Sequence, residues 1–244
     1  MRIDRFLTLK AQGSRRTARE MIRRGQVTVN GFPIRDPAYH IVPDQDIVRL
    51  ADETLDGRTD CHLMLYKPAG VLTAASDRNE KTVMDLLPDM YRAIRCMPVG
   101  RLDRDTTGLL LLTTDGELAH RLLSPRRQVE KCYIATVSLP LSQADRTAFR
   151  DGIRLSDFTA MPAHMEILSP YAARISLNEG KYHQIKRMFA AIGHEVTALH
   201  RVSFGGVALD ASLLAGSYRE LTPPELAQLR SRTTALARTK PAPS

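Results

Sequence analysis

Three short stretches of the chain concentrate side chains able to do chemistry. The first is Gly100-Arg101-Leu102-Asp103-Arg104-Asp105-Thr106-Thr107-Gly108, a charged loop running straight into the apolar run 109–112. Loops placed by a rigid strand are common sites for a catalytic group. Spacing alone admits three readings: a loop whose Arg and Asp pair internally, an Asp-x-Asp site for a divalent cation, or a catalytic carboxylate. It does not choose between Asp103 and Asp105. The second stretch runs from Glu179 through His183, Gln184, Ile185, Lys186 and Arg187 to Ile192. On a helical wheel Ile185, Met188, Phe189 and Ile192 share one arc, and His183, Lys186 and Arg187 share the opposite one. Such a helix buries one face and aims its cations at something anionic, unless the basic face is merely solvated. The third stretch is Glu130-Lys131-Cys132-Tyr133, where a Tyr opens a strand. Its ring could be core or could be offered for stacking.

These groups need elements to hold them. Residues 109–112, four leucines, predict a central strand buried on both faces. Further strands are expected at 62–66, 132–138, 163–168, 173–177 and 195–199, and helices near 117–123, 142–150 and 182–192. Strands and helices mix without strict alternation, which predicts an α+β domain with a mixed, mainly antiparallel sheet flanked by helices. Upstream lies a different pattern. Residues 14–24 predict a short helix with Ser14 as N-cap and Gly25 just past its end. Ala18, Met21 and Ile22 form its apolar stripe, and Arg15, Arg16, Arg19 and Arg23 form a basic one. Val27-Thr28-Val29 alternates like a strand, and Asn30-Gly31 signals a hairpin.

Charge follows the same division. Residues 1–50 hold ten Lys/Arg against five Asp/Glu, residues 51–60 one against four, and residues 231–244 three against none. The expected organisation is a basic unit at 1–50, a linker at 51–60, a second domain at 61–230 and a disordered tail at 231–244. The net charge of +8 over 244 residues implies a polyanionic partner. No apolar run is long enough to cross a bilayer and the start lacks the apolar core of a secretory signal. Cys61, Cys96 and Cys132 are scattered, and reduced, mostly buried thiols of a cytoplasmic protein are expected.

Residues 2–50, with Ser14-Arg15, the Arg-rich helix and Gly25-Gln26-Val27-Thr28-Val29-Asn30-Gly31, resemble an S4 (α-L-like) RNA-binding domain. Gly100-Arg101-Leu102-Asp103-Arg104-Asp105-Thr106-Thr107-Gly108-Leu109-Leu110 resembles the GRLDxxTxGLL motif of pseudouridine synthases. The resemblance covers residues 2–230 in the family's order, and His183-Gln184-Ile185-Lys186-Arg187-Met188-Phe189 looks like the small-subunit (RsuA) branch. It implies that Asp103 is catalytic and Asp105 is loop structure. It implies that Lys186 pairs with Asp103, that Tyr133 stacks on the target base, and that Leu199 lines the pocket. Cys132 stands where other members carry Thr. Lys67-Pro68-Ala69-Gly70 matches the family's first motif and is read as a structural turn.

The implied reaction detaches uracil from ribose C1′, turns the ring and rejoins it through C5, without cofactor or metal. The expected substrate is ribosomal RNA in a small-subunit assembly intermediate, at uridine 516 of 16S rRNA, worked on by a monomer. Asp103 must stay ionised in a pocket that strips its water, which a cation such as Lys186 would favour. The uridine must be flipped out. Arg101 could fill the vacated place or grip a phosphate, alongside His183, Arg187, Arg15, Arg16, Arg19 and Arg23 as RNA contacts. A large-subunit rRNA substrate, a non-catalytic S4-containing assembly factor and a metal-dependent transferase using Asp103 and Asp105 are the alternatives.

Overall fold

A computed structural model describes residues 1–10, 13–57 and 59–234. The described chain forms two compact units, one of Met1–Cys61 with Leu87–Met97, the other of His62–Leu86 with residues 98–234.

The first unit holds α1 (Ile3–Leu9), α2 (Arg15–Arg23), β1 (Val27–Val29), β2 (Phe32–Ile34), β3 (Val48–Leu50), β4 (Glu53–Leu55) and α3 (Asp89–Ala93). Its sheet runs β2-β1-β3-β4. Ser14 caps α2 by accepting from the Thr17 N–H at 3.1 Å. Asn30 and Gly31 both take positive φ, 52° and 85°, as a tight hairpin turn demands. Ile3, Phe6 and Leu7 of α1 pack with Ala18 and Ile22 of α2 over Val27, Val29, Val48 and Leu55. Burying these side chains contributes about 1.5–3 kcal/mol for each large one.

Three expectations are corrected here. Residues 51–60 are not wholly a linker: Val48↔Leu55, Arg49↔Thr54 and Leu50↔Glu53 pair β3 with β4. One apolar residue, Leu55, reaches the core, while exposed Glu53 and Thr54 give the edge strand a polar surface. The second domain is not continuous from 61 to 230, because Leu87–Met97 belongs to the first unit. Cys61 and Cys96 are not both free thiols: they form a disulfide across 35 residues, with Cα atoms 6.3 Å apart. That pairing depends on tertiary placement, which spacing does not reveal. Cys132 is free and buried.

The second unit holds β5 (His62–Lys67), is re-entered by the chain within β6 (Met97–Pro98), and continues with β7 (Thr107–Thr113), α4 (Gly116–Leu123), β8 (Lys131–Val137), α5 (Gln143–Asp151), β9 (His164–Ser169), β10 (Ala172–Leu177), α6 (Gln184–Ala191), β11 (Val196–Phe204), β12 (Val207–Ala208), β13 (Tyr218–Glu220) and α7 (Pro223–Thr234). The main path of the sheet is β13-β5-β7-β11-β8-β10-β9. All its pairings are antiparallel except β7 with β11. The sheet is therefore mixed and mainly antiparallel, as expected. Leu109, Leu110, Leu111 and Leu112 are at most 1% exposed, so β7 is covered on both faces. Leu109 and Leu111 pack with α4 and α7 through Leu118, Leu122 and Leu229.

Gly108 makes the parallel pair possible. A Cβ there would lie 2.3 Å from the Arg201 carbonyl oxygen, and its φ is +104°. The helix α7 was not foreseen. It starts behind Thr222, whose N–H donates to Glu225 Oε2 at 2.8 Å while its Oγ1 accepts from the Glu225 N–H at 3.4 Å. Residues 231–234 continue this helix rather than forming a tail, and 235–244 lie outside the described residues. No helix among the described residues is long and apolar enough to cross a membrane.

Candidate active site

The second unit contains a cavity of about 380 Å³. Strand register explains its walls. Arg201 on β11 lies opposite Tyr133 on β8 and beside Gly108 on β7, and Leu199 lies opposite Ala135. Residues two apart on a strand share a face, so Lys131 joins Tyr133, and Leu199 joins Arg201. The loop that precedes β7 brings Arg101, Leu102, Asp103 and Thr106 to the same cavity, and the approach to α6 brings Lys181, Tyr182 and His183.

Asp103 and Lys186 meet here. Lys186 Nζ is 3.4 Å from Asp103 Oδ2, their side chains 23% and 26% exposed. His183 Nε2 is 3.4 Å from Asp103 Oδ1. Neither carboxylate oxygen is left without a basic group nearby, which satisfies a partly desolvated charge. Tyr133 is 9% exposed and Leu199 8%, and both line the cavity. Arg101, an exposed residue, also contributes to the wall.

Asp105 is more than loop structure. Lys186 Nζ donates to its Oδ1 at 2.5 Å, closer than to Asp103. This hydrogen bond is the main reason the Asp105 carboxyl lies below its usual pKa. Lys186 is therefore shared between a half-buried carboxylate and an exposed one.

Two expected contacts, Arg187 and Arg19, fall elsewhere, and His183 reaches the cavity by another route. The helix α6 begins at Gln184, and His183 precedes it in the left-handed region, φ 49° and ψ 30°. His183 therefore reaches Asp103 from the turn and not from the helix face. Arg187 pairs with Asp157, donates to Ser156 Oγ at 3.3 Å and sits over the Phe158 ring, outside the cavity wall. The wheel placed it one step from Lys186, and the acidic loop before β9 captures it. Arg19 donates through Nε to buried Asp4 at 3.0 Å, so it ties α2 to α1. Arg2 shares the same carboxylate. The burial of Asp4 opposes ionisation most strongly, yet the two arginines leave its pKa lowered. Arg15, Arg16 and Arg23 remain exposed on α2.

Two buried side chains that shape the site escaped the sequence reading. Lys67, taken as the first residue of a turn, is fully buried. Its ammonium donates to the carbonyl oxygens of Pro68 at 3.0 Å, Arg104 at 3.1 Å and Thr106 at 2.9 Å. The loop carrying Asp103 is thus anchored from beneath. Thr73 fastens it again, donating to the Leu102 carbonyl at 2.8 Å and accepting from the Leu102 N–H at 3.2 Å. Burial pulls the Lys67 pKa from 10.5 to about 8, despite Asp105 and Asp103. The available signal was a Lys ending an apolar strand just before Pro-Ala-Gly.

Arg201 is the other. It is 2% exposed, and no carboxylate pairs with it among the described residues. Nε donates to the Leu109 carbonyl at 2.7 Å, Nη1 reaches the Tyr133 hydroxyl at 3.5 Å, and Nη2 has no partner among the described residues. Its guanidinium also lies 5.1 Å from the centre of the Phe204 ring. Arg201 thus reaches the hydroxyl end of Tyr133 and adds positive charge to the cavity wall. Lys131 nearby is pulled to about 8, mainly by burial and then by Arg201.

The comparisons with known proteins agree with this geometry. A family model for RNA pseudouridylate synthase matches residues 62–191, and one for the S4 domain matches residues 1–47. "Uncharacterized RNA pseudouridine synthase YtzG" of Bacillus subtilis is 40% identical, covering 93% of this chain and 97% of its own. Ribosomal small subunit pseudouridine synthase A of Escherichia coli K12 is 38% identical, covering 94% of this chain and 100% of its own. A crystal structure of a pseudouridylate synthase matches with a TM-score of 0.67 at 37% identity, covering 94% of this chain and 99% of the other. The chain belongs to the RNA pseudouridylate synthase family, of the RsuA type, and carries an S4 domain at its start.

Proposed function

We propose that this enzyme isomerises one uridine of small-subunit ribosomal RNA, at the position equivalent to uridine 516, with Asp103 as the catalytic carboxylate. The observation that carries the reading is the Asp103 carboxylate held 3.4 Å from both Lys186 and His183 in a cavity walled by Tyr133. The target uridine leaves its stack and enters the cavity. Tyr133, braced by Arg201, stacks on the uracil, a contact worth about 1–3 kcal/mol. Asp103 acts at the sugar or the ring while Lys186 keeps its charge compensated. The N1–C1′ bond breaks, the ring turns against Tyr133, and C5 bonds to C1′. The hydrogen on C5 leaves to solvent and N1 gains a proton, so nothing is oxidised.

Arg15, Arg16 and Arg23 of the S4 unit, with Arg101, supply phosphate contacts, and affinity falls as salt rises. The similar enzyme from Escherichia coli is named for the small ribosomal subunit. That name supports small-subunit ribosomal RNA as the substrate class. On this reading a single copy of the chain acts in the cytoplasm on a small-subunit assembly intermediate. The domains acting in this scheme are an S4 unit near 1–50 and a catalytic unit within 61–230.

The test maps pseudouridines in a deletion strain by carbodiimide treatment and primer extension. We expect one small-subunit signal to vanish, to return with the wild-type gene, and to stay absent with Asp103→Asn. A signal lost only from the large subunit refutes the substrate, and full rescue by Asp103→Asn refutes the catalytic assignment.

A further inference from the structure

Tyr182 is 72% exposed, yet it is held in place. Its ring stacks on His183 with centroids 3.8 Å apart and planes at 17°. His183 is fixed in turn by its left-handed backbone ahead of α6 and by Asp103 at 3.4 Å. The turn is closed by Gln184, 5% exposed, whose Oε1 accepts from the Lys181 N–H at 2.9 Å while its amide donates to Glu179. The result is an aromatic ring at the cavity wall with one face on His183 and its other side in water. A single exposed aromatic is ordinary on a protein surface. One immobilised by stacking beside the reacting carboxylate of an RNA enzyme is not accounted for by packing, since so little of it is buried.

We propose that the open face of Tyr182 is a stacking subsite for a nucleobase adjacent to the target uridine. The inference rests on the reading above, in which the cavity takes a uridine turned out of its strand. Turning that nucleotide out deprives its neighbours of a stacking partner. A neighbouring base laid on Tyr182 replaces the lost contact and extends a column of base, Tyr182 and His183 that ends on Asp103. Lys181 and Arg101 line the same cavity, so cations are at hand for the phosphate joining the two nucleotides. The subsite accepts any base, because every base presents a π-face.

The test uses two nine-residue RNAs, one of uridines throughout and one whose single uracil is flanked by abasic riboses, titrated by fluorescence anisotropy against the full chain. The wild type is expected to bind the first about 5- to 150-fold more tightly than the second. Tyr182→Ala should shrink that ratio to about threefold or less, with an unchanged circular dichroism spectrum because the ring is exposed, and Tyr182→Phe should restore it. An unchanged ratio in Tyr182→Ala overturns the proposal, as does a Tyr182→Phe variant no better than Ala. Binding needs no turnover. A wild type that forms no pseudouridine therefore refutes the enzymatic reading separately, and the ratio still decides the stacking subsite.

Discussion

Replacing Lys67 by Met separates two effects of one buried ammonium. Burial lowers its pKa from 10.5 to about 8, so folding disfavours the charged form by about 3 kcal/mol relative to the unfolded chain. Against this stand hydrogen bonds to the carbonyls of Pro68, Arg104 and Thr106. In the variant the Arg104 carbonyl keeps the Gly70 N–H at 2.8 Å. The other two lose this donor, at about 1–3 kcal/mol each. The costly charge disappears with it, so the net loss of stability at neutral pH should be only about 0–3 kcal/mol. The loop bearing Asp103 meanwhile loses its anchor, and kcat should fall about tenfold or more, since small misplacements of a reacting group are expensive. The pH dependence has a definite sign. Between pH 8 and 10.5 the unfolded chain holds the Lys67 proton and the folded chain releases it. Wild-type stability therefore gains up to about 3 kcal/mol from this residue across that window, and the penalty is fully present below it. Lys131 titrates near the same pH but is common to both proteins, so it cancels in the difference. Urea unfolding at about pH 7.5 and about pH 10, with tritium release from RNA labelled at uridine C5, measures both effects. Turnover within twofold of wild type, or an equal stability gap at the two pH values, refutes the reasoning.

Asp105→Asn should lower kcat by no more than about tenfold, because Lys186 can then serve Asp103 alone, whereas Asp103→Asn should abolish tritium release. Equal loss from both variants would mean that the two carboxylates act as one unit. Gly108→Ala should cost about 3 kcal/mol or more, since the new Cβ meets Arg201 backbone at 2.3 Å from a backbone φ of +104°. Urea unfolding reads this directly, and a loss below about 1 kcal/mol would show that β7 and β11 can separate cheaply.

What could be read from sequence was local. Four consecutive leucines have to be buried on both faces, and Asn-Gly between alternating residues has to turn, so β7 and the first hairpin were legible. The motif around Asp103 was legible because it is contiguous. What escaped is held by contacts between distant residues. Lys67 looks like a turn residue until Arg104 and Thr106 fold over it. Arg201 looks like one more cation until Leu109 and Tyr133 enclose it. Arg19 and Arg187 sit on the faces the wheel assigns, but Asp4 and Asp157 occupy them, and a wheel does not show partners on other elements. The start of α7 was different, because Thr222-Pro223-Pro224-Glu225 is a capping sequence visible without a structure.

The two missed cations also show why this site keeps so much charge out of water. Lys67 donates to three carbonyl oxygens, and Arg201 to a carbonyl and a phenol. Neither neutralises Asp103 by contact. Lys67 sets where the loop lies, and Arg201 sets where Tyr133 lies. A neutral side chain could fill either space, but a neutral amide has two N–H donors, against three on the Lys67 ammonium and five on the Arg201 guanidinium. With the Asp103 loop and the Tyr133 ring each held from a different strand, Lys186 is the ammonium that lies 3.4 Å from the Asp103 carboxylate. That separation of anchoring from charge compensation is why Lys67→Met and Lys186→Met should both slow turnover, and Lys67→Met should also remove the Lys67 share of the stability gained between pH 8 and 10.5 while leaving the Lys131 share in place.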